Sequence, residues 1–132
     1  MTLAVVDTSV WARRDQPRVQ DALADAIEAE SVVLVAPILL ELLRSARNER
    51  EHRELSEEYE YLHFVEITGP IRRRAVVVQG ELALHGHHRG PAPADLLAAA
   101  AAEAVGAELW HCDRHFELIA DVTGQPLRRV GS

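Results

Sequence analysis

The sequence predicts an α/β fold with three layers, in which helices cover both faces of a central parallel sheet of four to five strands. Short apolar runs alternate with longer segments of helical periodicity along the chain, as in proteins built from β–α–β units. The run at residues 3–6 is apolar throughout, and the run at 31–35 is apolar after Ser31, which is typical of strands buried on both faces. With 132 residues, 48% of them hydrophobic, the chain is expected to form a single domain over 1–132.

The first half of the chain contains two apolar strands and the helices that follow them. In order, we predict a strand at 3–6, helices at 10–14 and 17–29, a strand at 31–35, and one long helix from 37 to about 62. Asp7, Thr8 and Ser9 end the first strand and are all good N-cap residues. Pro17 and Pro37 each suit the first turn of a helix, where their missing N–H is not needed.

The second half repeats this alternation. The predicted elements are a strand at 64–67, a helix at 70–84, a loop at 85–93, helices at 94–105 and 116–122, and strands at 108–111 and 127–130. The segment ADLLAAAAAEAV has strong helix propensity, and Gly106 after it is a good C-cap. Its many alanines indicate a helix that packs closely against its neighbours.

Composition excludes several classes of α/β protein. All 14 basic residues are arginine, so the chain has no lysine. It therefore lacks the lysine of a P-loop and cannot form a Schiff base. The usual patterns of receiver domains and haloacid-dehalogenase-like phosphatases, which place a lysine beside the acidic site, are absent too. The net charge of −7 argues against a nucleic-acid partner unless bound cations reverse the local field.

The cysteine content and the N-terminal sequence predict a cytoplasmic protein. Cys112 is the single cysteine, so no internal disulfide can form. No apolar stretch approaches the roughly 20 residues that cross a bilayer. The first residues resemble a strand rather than a signal peptide.

Four acidic residues stand where a strand or a proline-marked turn gives way to a helix: Asp7, Glu41, Asp95 and Asp113. The carboxyl ends of parallel strands share one edge of a sheet, so these side chains are expected to converge there. Each aspartate taken alone also suits an ordinary helix cap. Glu41 does not, because it lies among leucines and isoleucine, where a carboxylate without a partner is costly. Converging carboxylates predict a site for Mg²⁺ or Mn²⁺.

The order of these motifs resembles that of PIN-domain ribonucleases, in particular the VapC-type toxins of toxin–antitoxin pairs. VVDTSVW at 5–11 resembles the family's opening motif, and ILLELLRSARN at 38–48 places Glu41 where the family has its second acid. Asp95 opens the small-residue helix, and Asp113 lies in the segment HCDRHF. This chain departs from the family at His111, where many relatives have threonine, and at His115, where a further aspartate is common.

The resemblance implies a PIN-like fold and an endoribonuclease that depends on Mg²⁺ or Mn²⁺. It makes Asp7, Glu41, Asp95 and Asp113 both the catalytic residues and the expected metal ligands. Thr8, Ser9 and Arg44 are expected to bind substrate, with Thr8 or Ser9 positioning Asp7 or a water molecule. Arg44 is one helical turn from Glu41 and is predicted to face the same cleft and to contact a phosphate.

The partners implied are an RNA substrate, a small cognate antitoxin and a second copy of the chain. Two alternatives remain open from the sequence. One is a housekeeping PIN nuclease of RNA processing or repair. The other is a catalytically silent PIN module that only binds protein or RNA.

Overall fold

Five short strands lie side by side in the computed structural model, which describes residues 2–132. They are β1 (Ala4–Val6), β2 (Val32–Leu34), β3 (His63–Phe64), β4 (Glu108–His111) and β5 (Leu127–Arg129). All neighbouring strands are parallel, and their order is β3-β2-β1-β4-β5. Val5 of β1 is in register with Val33 on one side and with Leu109 on the other. The predicted parallel sheet of four to five strands is therefore confirmed.

Helices make every connection between these strands. They are α1 (Thr8–Trp11), α2 (Pro17–Glu28), α3 (Ala36–Leu43), α4 (Glu49–Tyr59), α5 (Gly69–Leu84), α6 (Pro93–Ala104) and α7 (His115–Thr123). The connections from β1 to β3 run towards one edge of the sheet, and those from β3 to β5 run back past β1 to the other edge. Right-handed crossovers in opposite directions place helices on opposite faces, which gives the three-layer α/β/α arrangement.

The core lies on both faces of the central strands. Every residue of β1 and β2 is buried, as the unbroken apolar runs predicted. On α6 all five alanines from Ala98 to Ala102 are buried, and this helix packs closely against α5. Across residues 2–132, no helix is both long enough and apolar enough to cross a membrane.

The single long helix predicted for residues 37–62 is wrong. The structure has α3 and α4 instead, separated by residues 44–48. Asn48 begins the second helix in an extended backbone conformation, and its side-chain oxygen accepts a 2.9 Å hydrogen bond from the backbone N–H of Glu51. An asparagine side chain satisfies a free N–H of the first turn in this way, so a helix can restart without glycine or proline.

Candidate active site

The four acids predicted from the sequence come together at the carboxyl edge of the sheet. Asp7 follows β1, Asp113 follows β4, Asp95 lies in the first turn of α6, and Glu41 lies in α3. The pKa of Asp95 is raised from 3.8 to about 6, mainly by burial and in smaller part by the nearby carboxylates of Asp7, Asp113 and Glu41. An acid whose pKa responds to three other carboxylates shares one electrostatic site with them.

Asp7 is held by the turn that begins α1. Its Oδ2 accepts hydrogen bonds from the backbone N–H of Ser9 at 2.9 Å and from the Ser9 hydroxyl at 2.6 Å. The same hydroxyl oxygen accepts a 2.9 Å bond from the backbone N–H of Cys112, just beyond β4. Ser9 thus ties the end of β1 to the end of β4. Asp7 caps a helix, as the simple interpretation held, yet the capping uses only Oδ2 and leaves Oδ1 for another partner.

Asp95 is also fixed through one oxygen. Its Oδ2 accepts a 2.8 Å hydrogen bond from the backbone N–H of Ala92, which opposes the rise in its pKa without cancelling it. The bond links the first turn of α6 to the loop before it. Asp95 can therefore cap the helix and belong to the site at once, because the capping hydrogen bond uses Oδ2 and leaves Oδ1 for another partner.

The hydroxyl of Thr8 donates a 3.4 Å hydrogen bond to Oε1 of Glu41. Both residues line a hollow of about 210 Å³ together with Arg14 and Tyr59. The Arg14 guanidinium donates from Nη1 to the Tyr59 hydroxyl over 3.2 Å. A carboxylate and an oriented cation thus face the same hollow, beside the cluster of acids.

Asp113 lies between two histidines that replace the family's usual oxygen donors. The backbone N–H of His115 donates to its Oδ1 at 2.9 Å, and Nδ1 of His115 is 3.4 Å from the same oxygen. His111 is buried, with its ring packed near Phe116 and its Nδ1 3.0 Å from the backbone carbonyl oxygen of Asp113. His111 therefore shapes the loop, whereas the side chain of His115 is 35% exposed and open to solvent.

The donor atoms present suit a divalent cation. Asp95, Asp113 and His115 each offer one ligand atom, and the three atoms lie within 4.8 Å of one another. Carboxylate oxygens are the preferred ligands of Mg²⁺ and Mn²⁺. A bound cation would also relieve the repulsion that the neighbouring acids exert on Asp95. The residues at this edge of the sheet fit the metal that the family resemblance implies.

Arg44 does not line the hollow that contains Glu41. It is the C-cap of α3 and faces a separate shallow hollow with Arg47 and Asn48. Sequence reasoning missed Arg14, because its approach to Glu41 depends on how α1 and α3 pack. The only local signal was the pair Arg13-Arg14 shortly after the Asp7 motif.

The comparison with known families decides the family. Residues 4–122 match the sequence profile of the PIN domain. The chain is a PIN domain. This match, together with curated relatives named Ribonuclease VapC, confirms the resemblance to PIN-domain ribonucleases of the VapC type.

Curated relatives of this PIN domain carry the name ribonuclease. Ribonuclease VapC18 of Mycobacterium tuberculosis is 37% identical over 123 residues, which are 92% of this chain and 90% of the relative. Ribonuclease VapC51 of the same species is 40% identical over 126 residues, covering 96% of this chain and 91% of the relative.

Solved structures share the fold of this PIN domain at low sequence identity. VapBC2 from Rickettsia felis, bound to a DNA fragment from its promoter, superposes with a TM-score of 0.78 at 17% identity, over 97% of this chain and 98% of the other. DNA-bound VapBC from Salmonella typhimurium gives a TM-score of 0.79 at 16% identity, over 98% of both chains. At this identity the likeness concerns the fold alone.

Proposed function

We propose that this PIN domain is an endoribonuclease that requires Mg²⁺ or Mn²⁺, and that it acts as the toxin of a toxin–antitoxin pair. The observation that carries the proposal is the convergence of Asp7, Glu41, Asp95 and Asp113 at one edge of the sheet, together with the raised pKa of Asp95. The names of relatives that are 37% and 40% identical support RNA as the substrate class.

The proposed cation is held by Asp7, Asp95 and Asp113, with Glu41 completing the cluster or orienting the attacking water. When bound, such a cation lowers the pKa of its water and neutralises charge on the phosphoryl oxygens. Ser9 keeps Asp7 in place through the 2.6 Å hydrogen bond, and Thr8 orients Glu41. These two hydroxyls are positioning groups, since each acts through a carboxylate.

Substrate binding needs positive charge next to this acidic edge. Arg14, which faces the same hollow as Glu41, supplies a guanidinium that can contact an RNA phosphate through two N–H groups. Arg44 keeps its proposed role as a phosphate contact, on a surface farther along α3. Together they would guide the RNA backbone past the carboxylates.

The proposed partners follow from the structural neighbours and from charge. Structures of VapBC complexes share this fold, which supports a small antitoxin as partner. We also propose that the toxin forms a homodimer and acts in the cytoplasm. An antitoxin segment that brings a basic side chain to the cluster of carboxylates would complement it electrostatically. The net charge of −7 favours such a partner.

RNA cleavage by purified protein tests the proposal. Wild-type protein should cleave RNA with added Mg²⁺ or Mn²⁺ and lose that activity in EDTA. Asp7→Asn and Asp95→Asn should each be inactive, whereas Asp25→Asn, which changes an exposed carboxylate of α2, should retain full activity. Cleavage that resists EDTA, or full activity in both site variants, would refute the metal-dependent mechanism. Absence of cleavage by the wild type under all these conditions would favour a binding module instead.

A further inference from the structure

His115 stands at a position of the site where PIN relatives commonly carry an acid. It is the first residue of α7, so its Cα is fixed by the helix and its backbone N–H is bound to Oδ1 of Asp113 at 2.9 Å. Its ring nitrogen Nδ1 lies 3.4 Å from the same Asp113 oxygen. The imidazole therefore lies beside the Asp113 carboxylate.

We infer that His115 is a nitrogen ligand of the proposed cation and makes this site favour Mn²⁺ over Mg²⁺. The inference rests on the proposed metal-dependent function. One nitrogen of His115 and one oxygen each of Asp95 and Asp113 lie within 4.8 Å of one another. Opposite ligands of an ion with bonds of about 2.1 Å are about 4.2 Å apart, so a shift of at most a few tenths of an ångström in each side chain would bring these atoms onto one ion.

The identity of the donor determines the preference among cations. Mg²⁺ demands oxygen ligands in a near-ideal octahedron and keeps much of its water. Mn²⁺ accepts carboxylates of the same kind, but as a transition-metal ion it also accepts imidazole nitrogen more readily than Mg²⁺ does. Replacing a carboxylate by an imidazole also removes one negative charge from the ligand set, which weakens the binding of both ions. The nitrogen donor offsets this loss better for Mn²⁺ than for Mg²⁺.

The side chain is free to serve as a ligand. His115 and Asp113 are 35% and 39% exposed, so a hydrated ion can enter from solvent. His111, the other histidine of this segment, is buried with its Nδ1 turned towards the Asp113 carbonyl oxygen. Of these two, His115 is the one whose ring adjoins the carboxylates.

Pulsed electron paramagnetic resonance of the Mn²⁺-loaded protein tests the assignment, because an imidazole nitrogen bound to Mn²⁺ gives a characteristic ¹⁴N modulation. The wild type should show this modulation, and His115→Asn should lose it while still folding, as circular dichroism would report. The matched control is His52→Ala, which changes an exposed histidine of α4 and should leave the modulation unchanged.

Calorimetric titration provides the second readout. The ratio of Mn²⁺ affinity to Mg²⁺ affinity should fall about tenfold in His115→Asn, and His115→Asp should bind Mg²⁺ more tightly than the wild type does. Mn²⁺ binding without ¹⁴N modulation, modulation that survives in His115→Asn, or an unchanged affinity ratio would overturn this inference and leave the proposed function standing. Failure of the wild type to bind either ion would overturn both.

Discussion

The hydroxyl of Ser9 donates a 2.6 Å hydrogen bond to the buried carboxylate of Asp7. The Ser9 hydroxyl oxygen also accepts a hydrogen bond from the backbone N–H of Cys112, so the Ser9 side chain connects the ends of the adjacent strands β1 and β4. An acid at the end of β1 is thereby held at a fixed distance from the loop that carries Asp113. The link therefore helps to fix the position of these carboxylates at the edge of the sheet.

Removing that hydroxyl should weaken both the fold and the proposed activity. Ser9→Ala leaves a buried carboxylate with one donor fewer, and we expect a loss of about 1 to 3 kcal/mol in the free energy of unfolding. RNA cleavage should fall about 10- to 100-fold, as expected when the group that orients a ligand is removed. Urea denaturation and a cleavage assay measure the two effects. Ser9→Thr keeps the hydroxyl and should recover most of the activity; equal losses in both variants would contradict this role.

The metal-free protein should become less stable as the pH rises through the titration of Asp95. The pKa of Asp95 is about 6 in the folded protein, whereas the ordinary value of 3.8 applies to the unfolded chain. The folded state therefore binds the proton more tightly than the unfolded state does. The resulting stabilisation is complete below the lower value and is lost as the pH passes the higher one. Asp95→Asn should remove this dependence.

At pH 7.5 in EDTA, Asp95→Asn should therefore be more stable than the wild type. We expect a gain of about 1 to 2 kcal/mol once partial exposure of the carboxylate is allowed for. Thermal denaturation between pH 4 and pH 8 measures it, with Asp25→Asn as the control. A variant that is less stable than wild type at pH 7.5 would show that burial and the neighbouring carboxylates do not penalise the charged form of Asp95.

Arg14 should contribute more to RNA binding than Arg44. In an inactive Asp95→Asn background, Arg14→Ala should weaken RNA binding about 3- to 10-fold, because it removes a guanidinium that lines the same hollow as Glu41. It should also lower the slope of log affinity against log salt by about 0.7, the value for one phosphate contact in single-stranded RNA. Fluorescence anisotropy at several salt concentrations gives both numbers.

Two controls make the comparison of the arginines specific. Tyr59→Phe removes the hydroxyl that accepts from Arg14 and should give a smaller loss in the same direction. Arg44→Ala should have the smaller effect of the two alanine variants. A larger effect for Arg44→Ala would instead favour the surface predicted from the sequence.

The buried alanines of α6 should not tolerate larger side chains. Ala101 is fully buried, and Ala101→Leu should cost about 1 to 3 kcal/mol of unfolding free energy through overpacking. Ala104→Leu, on the exposed end of the same helix, should change stability by less than about 0.5 kcal/mol. Chemical denaturation of the two variants under identical conditions compares them. Equal stability of the two would show that α6 has room on its packed side.

The sequence was sufficient to predict the parallel sheet and the edge at which the acids meet, because both follow from local patterns. Unbroken apolar runs identified buried strands, and the residue after each run identified the carboxyl end. Asp7 is positioned by that rule alone, and Asp113 lies one residue farther from the end of β4, after Cys112. Their convergence with Asp95 needs only the parallel direction of the strands.

Features that depend on packing could not be predicted in the same way. Arg14 reaches the Glu41 hollow only because α1 lies against α3, and no periodicity encodes that contact. Arg44 was placed by helical spacing from Glu41, but it lies at the C-cap, where α3 ends sooner than the pattern indicated. The break before Asn48 was missed for a related reason: a side-chain cap competes with an otherwise continuous helical pattern.

The alanines of α6 also affect how firmly Asp95 is held. An alanine side chain has no rotamers, so burying Ala98–Ala102 loses no side-chain conformational entropy. The helix can therefore pack tightly against its neighbours without freezing any long side chain. Because Asp95 lies in the first turn of this helix, its backbone is already ordered before a cation arrives. Little of the binding free energy is then needed to order the site, which is the condition called preorganisation.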